Sequence, residues 1–74
     1  MSTTVFDLSS DKQWFFCDDV SPIQAVAYVV AESTNCVSLF FANPIAFAEK
    51  IGVKTINCSN RTYASHGDFC VKIN

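Results

Sequence analysis

A helix start at Ser21, followed by an almost uninterrupted apolar run, constrains the fold of this chain more than any other feature. Ser21 can cap the first free amides, and Pro22 suits the first helical position because its missing N–H is not needed there. Gln24 occupies the reciprocal capping-box position, and the helix is predicted to extend to about residue 33. A polar stripe repeats along it every four residues: Gln24, Tyr28 and Glu32. The remaining surface is apolar, so we expect this helix to be the spine of the core, packed against a sheet.

Short runs of β-branched and aromatic residues, separated by turn residues, predict strands on both sides of this helix. The predicted strands cover residues 3–8, 13–18, 36–41, 53–58, 61–64 and 69–73. Asn43 and Pro44 repeat the helix-start signal and Gly52 supplies a stop, which predicts a short helix over residues 45–51. The expected class is α+β, in the order β-β-α-β-α-β-β. One long helix would pack on a face of an antiparallel sheet of four to five strands, beside one short helix.

The length of 74 residues leaves room for a single small domain, residues 1–74, and half of these residues are hydrophobic. Such a composition supports a packed core, in which we expect the following residues to be buried together: Phe16, Val26, Val30 and Val71. No segment is apolar for long enough to cross a bilayer. The N-terminus lacks the basic and apolar regions of a secretory signal, so we expect a cytoplasmic protein without membrane contacts.

Charge is unevenly distributed along the chain, whose net charge is -2. Residues 1–49 carry six acids and only Lys12 as a cation, whereas residues 50–74 carry four cations and only Asp68 as an acid. The two halves either neutralise each other within the fold or present an acidic face to a basic partner. The exposed aromatic rings expected in so small a domain lack neighbouring lysines in the first half, so no direct nucleic-acid binding is expected.

The residues that could carry chemistry have a structural explanation as well. The four cysteines form no closely spaced pair, which predicts free, buried thiols and no metal site: Cys17, Cys36, Cys58 and Cys70. Asp18 and Asp19 could hold a metal, but they also suit the approach to a helix N-terminus. A dyad of His66 and Cys70 is conceivable. With no glycine-rich phosphate loop either, we expect neither a cofactor nor an enzyme.

Acidic residues in the first half of the chain carry a family resemblance: Asp7, Asp11, Asp18, Asp19 and Glu32. In size, acidity and layout the chain resembles the small α+β proteins with which phages and plasmids disable bacterial defence, in particular the anti-CRISPR proteins. The resemblance implies that these acids mimic nucleic-acid phosphates or meet a basic channel.

The expected function is therefore an inhibitor that blocks a larger, basic bacterial protein or nucleoprotein complex by steric and electrostatic contact. The expected partner-binding residues are Asp7, Asp11, Trp14, Asp18, Asp19, Tyr28 and Glu32. A homodimeric structural or adaptor module is the alternative, and a small enzyme dependent on cysteine or histidine is the third.

Overall fold

The computed structural model describes residues 2–17 and 20–73, which form five strands and three helices. The strands are β1 (Thr3–Asp7), β2 (Gln13–Phe16), β3 (Lys54–Cys58), β4 (Arg61–His66) and β5 (Phe69–Lys72). The helices are α1 (Pro22–Ser33), α2 (Val37–Ala42) and α3 (Pro44–Ile51). The predicted α+β class is confirmed, and the order along the chain is β-β-α-α-α-β-β-β. None of the helices in these two ranges is long and apolar enough to cross a membrane.

The five strands form one antiparallel sheet in the order β2-β1-β5-β4-β3. The N-terminal hairpin of β1 and β2 is joined to the C-terminal meander of β3, β4 and β5 through the pairing of β1 with β5. Phe6 lies opposite Cys70 in that pairing, and the Leu8 N–H donates to the Asp68 carbonyl at 2.9 Å. Residues from the acidic and the basic halves of the sequence therefore lie side by side in the sheet.

α1 begins and ends where the sequence predicts. The Ser21 hydroxyl accepts a hydrogen bond from the Gln24 N–H at 3.2 Å, and Pro22 is the first helical residue. At the other end Asn35 adopts a left-handed backbone with φ 59°, a conformation that asparagine tolerates better than most residues. The Cys36 N–H then donates to the Ala31 carbonyl at 2.8 Å, which satisfies a free carbonyl of the last turn.

The segment predicted as a third strand, residues 36–41, forms α2 instead. Its side chains are apolar at nearly every position, so neither the two-residue repeat of a strand nor the repeat of a helix stands out. The deciding contacts are tertiary. The sheet leaves Ala27 and Ala31 of α1 uncovered on the opposite side, and Phe40 packs against them there with only 7% of its surface exposed. The predicted third strand is therefore wrong. Two short helices, α2 and α3, follow α1 in succession where one was predicted.

α3 follows α2 with only Asn43 between them. The Asn43 side-chain oxygen accepts a hydrogen bond from the Ala46 N–H at 3.1 Å, and Pro44 is the first helical residue, as predicted. Gly52 ends the helix with φ 80°, a left-handed conformation that glycine adopts without strain. The two consecutive short helices, α2 and α3, thus build a second helical layer over α1.

Two clusters of buried side chains hold the domain together, one on each side of α1. The first joins α1 to the sheet through Val5, Ala25, Val26, Val29, Ala64 and Val71. The second joins α1 to α2 and α3 through Ala27, Ala31, Phe40, Phe47 and Ala48. The predicted core residues Val26 and Val71 lie in the first cluster, Phe16 packs against it, and Val30 is also buried.

The pair Phe40 and Phe41 tests the helical assignment of α2. Phe40→Ala removes a buried ring and should lower the free energy of unfolding by about 3–5 kcal/mol. Phe41→Ala, at a side chain that is 66% exposed, should cost less than about 1 kcal/mol. Urea unfolding followed by circular dichroism measures both values.

A strand at this position would place Phe41 inward with Val37 and Leu39, and would reverse the order of the two effects. Should Phe40→Ala fail to fold, Phe40→Leu provides a smaller step in the same direction. A larger loss of stability in Phe41→Ala than in Phe40→Leu would contradict α2.

Candidate functional site

A groove of about 460 Å³ lies between the end of β2 and the helices α1 and α2. We call it the aromatic groove, and its lining consists of Phe16, Val20, Gln24, Tyr28, Phe40, Phe41 and Pro44. This volume falls within the range of roughly 300–1,000 Å³ that is usual for ligand sites. Within the lining, the amide of Gln24 and the hydroxyl of Tyr28 are the polar side-chain groups, so apolar contact dominates.

Tyr28 is the centre of the aromatic groove. Its ring meets the rings of Phe16, Phe40 and Phe41 edge to face, with centroids 5.9, 5.4 and 5.9 Å apart. Phe40 in turn contacts Phe41 at 5.3 Å and the buried Phe47 at 6.1 Å. Edge-to-face contacts are a favoured arrangement of aromatic pairs, and here they join the rings that line the groove into one packed cluster.

The position of the groove follows from the pattern of α1. The sheet covers one side of this helix and α2 with α3 covers another, which leaves the predicted polar stripe between them. Gln24 and Tyr28 of this stripe are half-buried in the groove, and Glu32 is exposed one turn further along. The first two residues of the stripe, Gln24 and Tyr28, therefore form the floor of the groove.

The structure divides the predicted partner-binding residues among different surroundings. Tyr28 and Glu32 share one side of α1, as their spacing predicts. Trp14 is half-buried, packs its ring edge to face on Phe69 at 5.7 Å, and carries the Lys12 ammonium 4.6 Å from its centroid. That cation covers part of the ring, so Trp14 offers less contact surface than the sequence suggested.

Two of the four predicted aspartates, Asp7 and Asp11, lie within the described residues. Asp11 is exposed in the turn between β1 and β2, with a left-handed backbone at φ 57°. Asp18 and Asp19 lie outside the described residues. Asp7 is committed to its own turn: it accepts hydrogen bonds from the Ser9 hydroxyl at 2.7 Å and the Ser10 hydroxyl at 2.6 Å.

Hydrogen bonding sets the ionisation of Asp7. The Ser10 hydroxyl, followed by the Ser9 hydroxyl and the backbone amides of the turn, holds the pKa of this carboxyl below its ordinary value. Both of its oxygens accept hydrogen bonds within the turn, so Asp7 helps to hold the hairpin of β1 and β2.

His66 and Cys70, the residues of the conceivable dyad, point to opposite faces of the sheet. His66 pairs with Phe69 and Ser65 pairs with Cys70, and successive residues of a strand alternate between faces. The side chains of the described residues bring no three potential metal ligands together. The cysteines are free thiols, and the expectation that all are buried is wrong because Cys17 and Cys58 are exposed.

Sequence reasoning missed the outer wall of the aromatic groove, Phe40 and Phe41, because it placed them in a strand. The helix-start signal at Asn43 and Pro44 was the available clue, since it leaves a single residue between this segment and the next helix. Comparisons of the chain with protein-family models, with characterised proteins and with solved structures found no match. The geometry of the chain itself therefore carries the functional argument.

Asp7→Asn tests the role of this carboxylate in the turn. A carboxyl whose folded pKa is depressed contributes stability above its unfolded pKa, near 3.9, and loses that contribution as pH falls through the folded pKa. The variant should therefore melt below the parent at neutral pH, and the difference should shrink under acid conditions. Thermal melts at several pH values measure it.

Asp11→Asn is the matched control, because it removes an exposed carboxylate from the same turn. It should leave the melting temperature and its pH dependence nearly unchanged. Equal pH profiles for the Asp7 and Asp11 variants would contradict the assignment of Asp7.

Proposed function

We propose that this protein is a non-catalytic inhibitor that binds a larger bacterial nucleic-acid-handling protein inside the host cell. The observation that carries the proposal is the aromatic groove, whose packed rings end in Phe41 with 66% of its surface exposed. Exposed aromatic surface around a fixed pocket is the usual anchor of a protein–protein interface. The groove would take an apolar side chain from the partner.

Charge beside the groove supports a basic partner. Glu32 is exposed one turn beyond Tyr28 on α1, and Asp18 and Asp19 precede the groove residue Val20 in the sequence. A partner segment that carries one apolar anchor flanked by lysine or arginine fits both features. Electrostatic attraction would raise the association rate, and the apolar anchor would supply most of the affinity.

An inhibitor that acts by binding to its partner differs in stoichiometry from one that acts by catalysis. The groove lining supplies contact area, an amide and a phenol, which suit binding. Inhibition of the partner should therefore be complete at one molecule of this protein per site and should not increase with time. An inhibitor that worked through turnover would act well below that ratio.

The adaptor alternative rests on the sheet edges. β2 and β3 are the outer strands, and every residue of β3 is exposed, so either edge could pair with a second copy. Sedimentation of the isolated protein distinguishes the two functions, because the inhibitor is expected to be a monomer that leaves the groove free.

Phe41→Ala should weaken the complex with the partner by more than about tenfold, because it removes the exposed wall of the groove. The measurement is isothermal titration with the partner isolated by affinity capture from a host lysate. Ile45→Ala is the matched control, since it removes an equally exposed apolar side chain from α3. Equal binding by the two variants would overturn the groove as the contact surface.

The electrostatic part has its own test. Glu32→Lys should slow association and reduce its dependence on salt, while leaving dissociation nearly unchanged. Asp68→Lys, in the exposed turn between β4 and β5, is the control for the change in net charge. Stopped-flow association rates at two salt concentrations measure the effect, and identical rates for the two variants would contradict a basic partner at the groove.

A further inference from the structure

The sheet has one covered face and one open face. α1 packs on the face that carries the buried residues Val5, Ala64 and Val71, and α2 and α3 pack on the far side of α1. Side chains next to these along each strand point the other way. No described helix covers that second face, which we call the open sheet face.

The open sheet face carries three aromatic rings and three cations: Phe6, Phe15, Tyr63, Lys54, Arg61 and Lys72. Phe15, on the outer strand β2, is 72% exposed, and Phe6, on the inner strand β1, is still 42% exposed. Tyr63 is half-buried beside the exposed Ile56, its partner on β3. Large rings exposed together on a flat surface are the mark of a binding site.

The strand register interleaves the rings with the charges. Tyr63 lies opposite Lys72, and Thr4 lies opposite Phe15. Phe6 lies opposite Cys70, and because β1 and β5 are antiparallel, the same register places Thr4 beside Lys72. Phe15, Lys72 and Tyr63 therefore occupy one row across the sheet, with the backbone of Lys72 one strand spacing, about 5 Å, from that of Tyr63 and two spacings, about 10 Å, from that of Phe15.

All charged side chains that the described strands place on this face are cationic. Arg61 follows the same alternation as Tyr63, and Lys54 follows that of Ile56. The exposed acids Glu32 and Glu49 lie on the helices, on the other side of the sheet, and the exposed acids Asp11 and Asp68 lie in the turns that join β1 to β2 and β4 to β5. The protein is acidic as a whole, yet this one face is basic.

We propose that the open sheet face binds single-stranded nucleic acid. Bases would stack on Phe15, Phe6 and Tyr63, and phosphates would pair with Lys72, Arg61 and Lys54. A sheet with exposed rings can stack about two or three unpaired bases, whereas a duplex keeps its base faces covered. Rings supply affinity for any base, and cations track the backbone, so the site would show little sequence preference.

The fold removes the objection that the sequence raises against nucleic acid. The aromatic residues in the first half of the chain have few lysines near them in the sequence. In the fold, the pairing of β1 with β5 places Lys72 in the same row of the sheet as Phe15. A second copy of the chain is a poor occupant, because face-to-face stacking would bring three cations against three others. An acidic protein would satisfy the cations without using the flat ring faces.

The test uses a short fluorescent oligothymidylate and the matching oligouridylate, with fluorescence anisotropy at low and at physiological salt. Phe15→Ala should weaken binding by about tenfold through the loss of one stacked base. Replacement of Lys54, Arg61 and Lys72 by glutamine should reduce the slope of log affinity against log salt by about two, since each lost phosphate contact contributes roughly 0.7.

Phe41→Ala is the control, because it alters the aromatic groove and leaves the open sheet face intact. It should bind the oligonucleotides as the parent does, whereas Phe15→Ala should still bind the protein partner. Failure of this inference is thus separate from failure of the proposed function. Circular dichroism checks folding, and Phe15→Leu keeps apolar bulk while removing the flat ring if the alanine variant does not fold.

Four results would overturn the proposal. The first is absence of oligonucleotide binding at low salt, and the second is unchanged binding by Phe15→Ala and Phe15→Leu. The third is that polyglutamate binds as tightly as the oligonucleotides and that Phe15→Ala leaves its binding unchanged, which would identify a surface for acidic proteins. The fourth is a dimer in sedimentation that Phe15→Ala dissociates.

Discussion

Burial of α1 on two sides is the constraint on which the rest of this structure depends. A helix of twelve residues with three valines and three alanines buried around it cannot be covered by a sheet alone. The sheet covers Val26 and Val29, and the short helices α2 and α3 cover Ala27 and Ala31. Small alanines on that second side let Phe40 and Phe47 approach closely. The three-layer arrangement follows, with α1 in the middle and the polar stripe as its one open side.

The pairing of β1 with β5 is the second constraint, because it is the contact between the ends of the chain. Three helices and three strands separate β1 from β5 in sequence, so their register fixes the relation between the acidic and basic halves. The sheet assigns Lys72 and Arg61 to the face away from the helices. The basic residues of the second half thus lie on the open sheet face, whereas Glu32 and Glu49 of the first half lie on the helices on the other side.

Local signals made α1 predictable, and tertiary contacts made α2 unpredictable. Ser21 acts through a hydrogen bond, and Pro22 and Asn35 act through their own backbone angles, so the local sequence contains all that determines them. Residues 36–41 are apolar except for Ser38, and only the uncovered side of α1 selects a helix there. The same distinction applies to the site. Tyr28 was predictable from its place on the polar stripe, whereas Phe41 as its neighbour required knowledge of α2.

Size explains why this domain has two candidate surfaces rather than none. Ten aromatic side chains exceed what a core of this size can enclose, and the alanines and valines around α1 occupy much of that core. The rings left outside are not scattered: Phe41 borders the aromatic groove on the helix side, while Phe6 and Phe15 lie on the open sheet face. The two shorter extents of the domain are 24 and 23 Å, so a partner that carries both protein and single-stranded nucleic acid could reach both surfaces of one molecule. An inhibitor built in this way would join the two components of a nucleoprotein complex and would hold them in a fixed relation, which blocks movement without any chemical step.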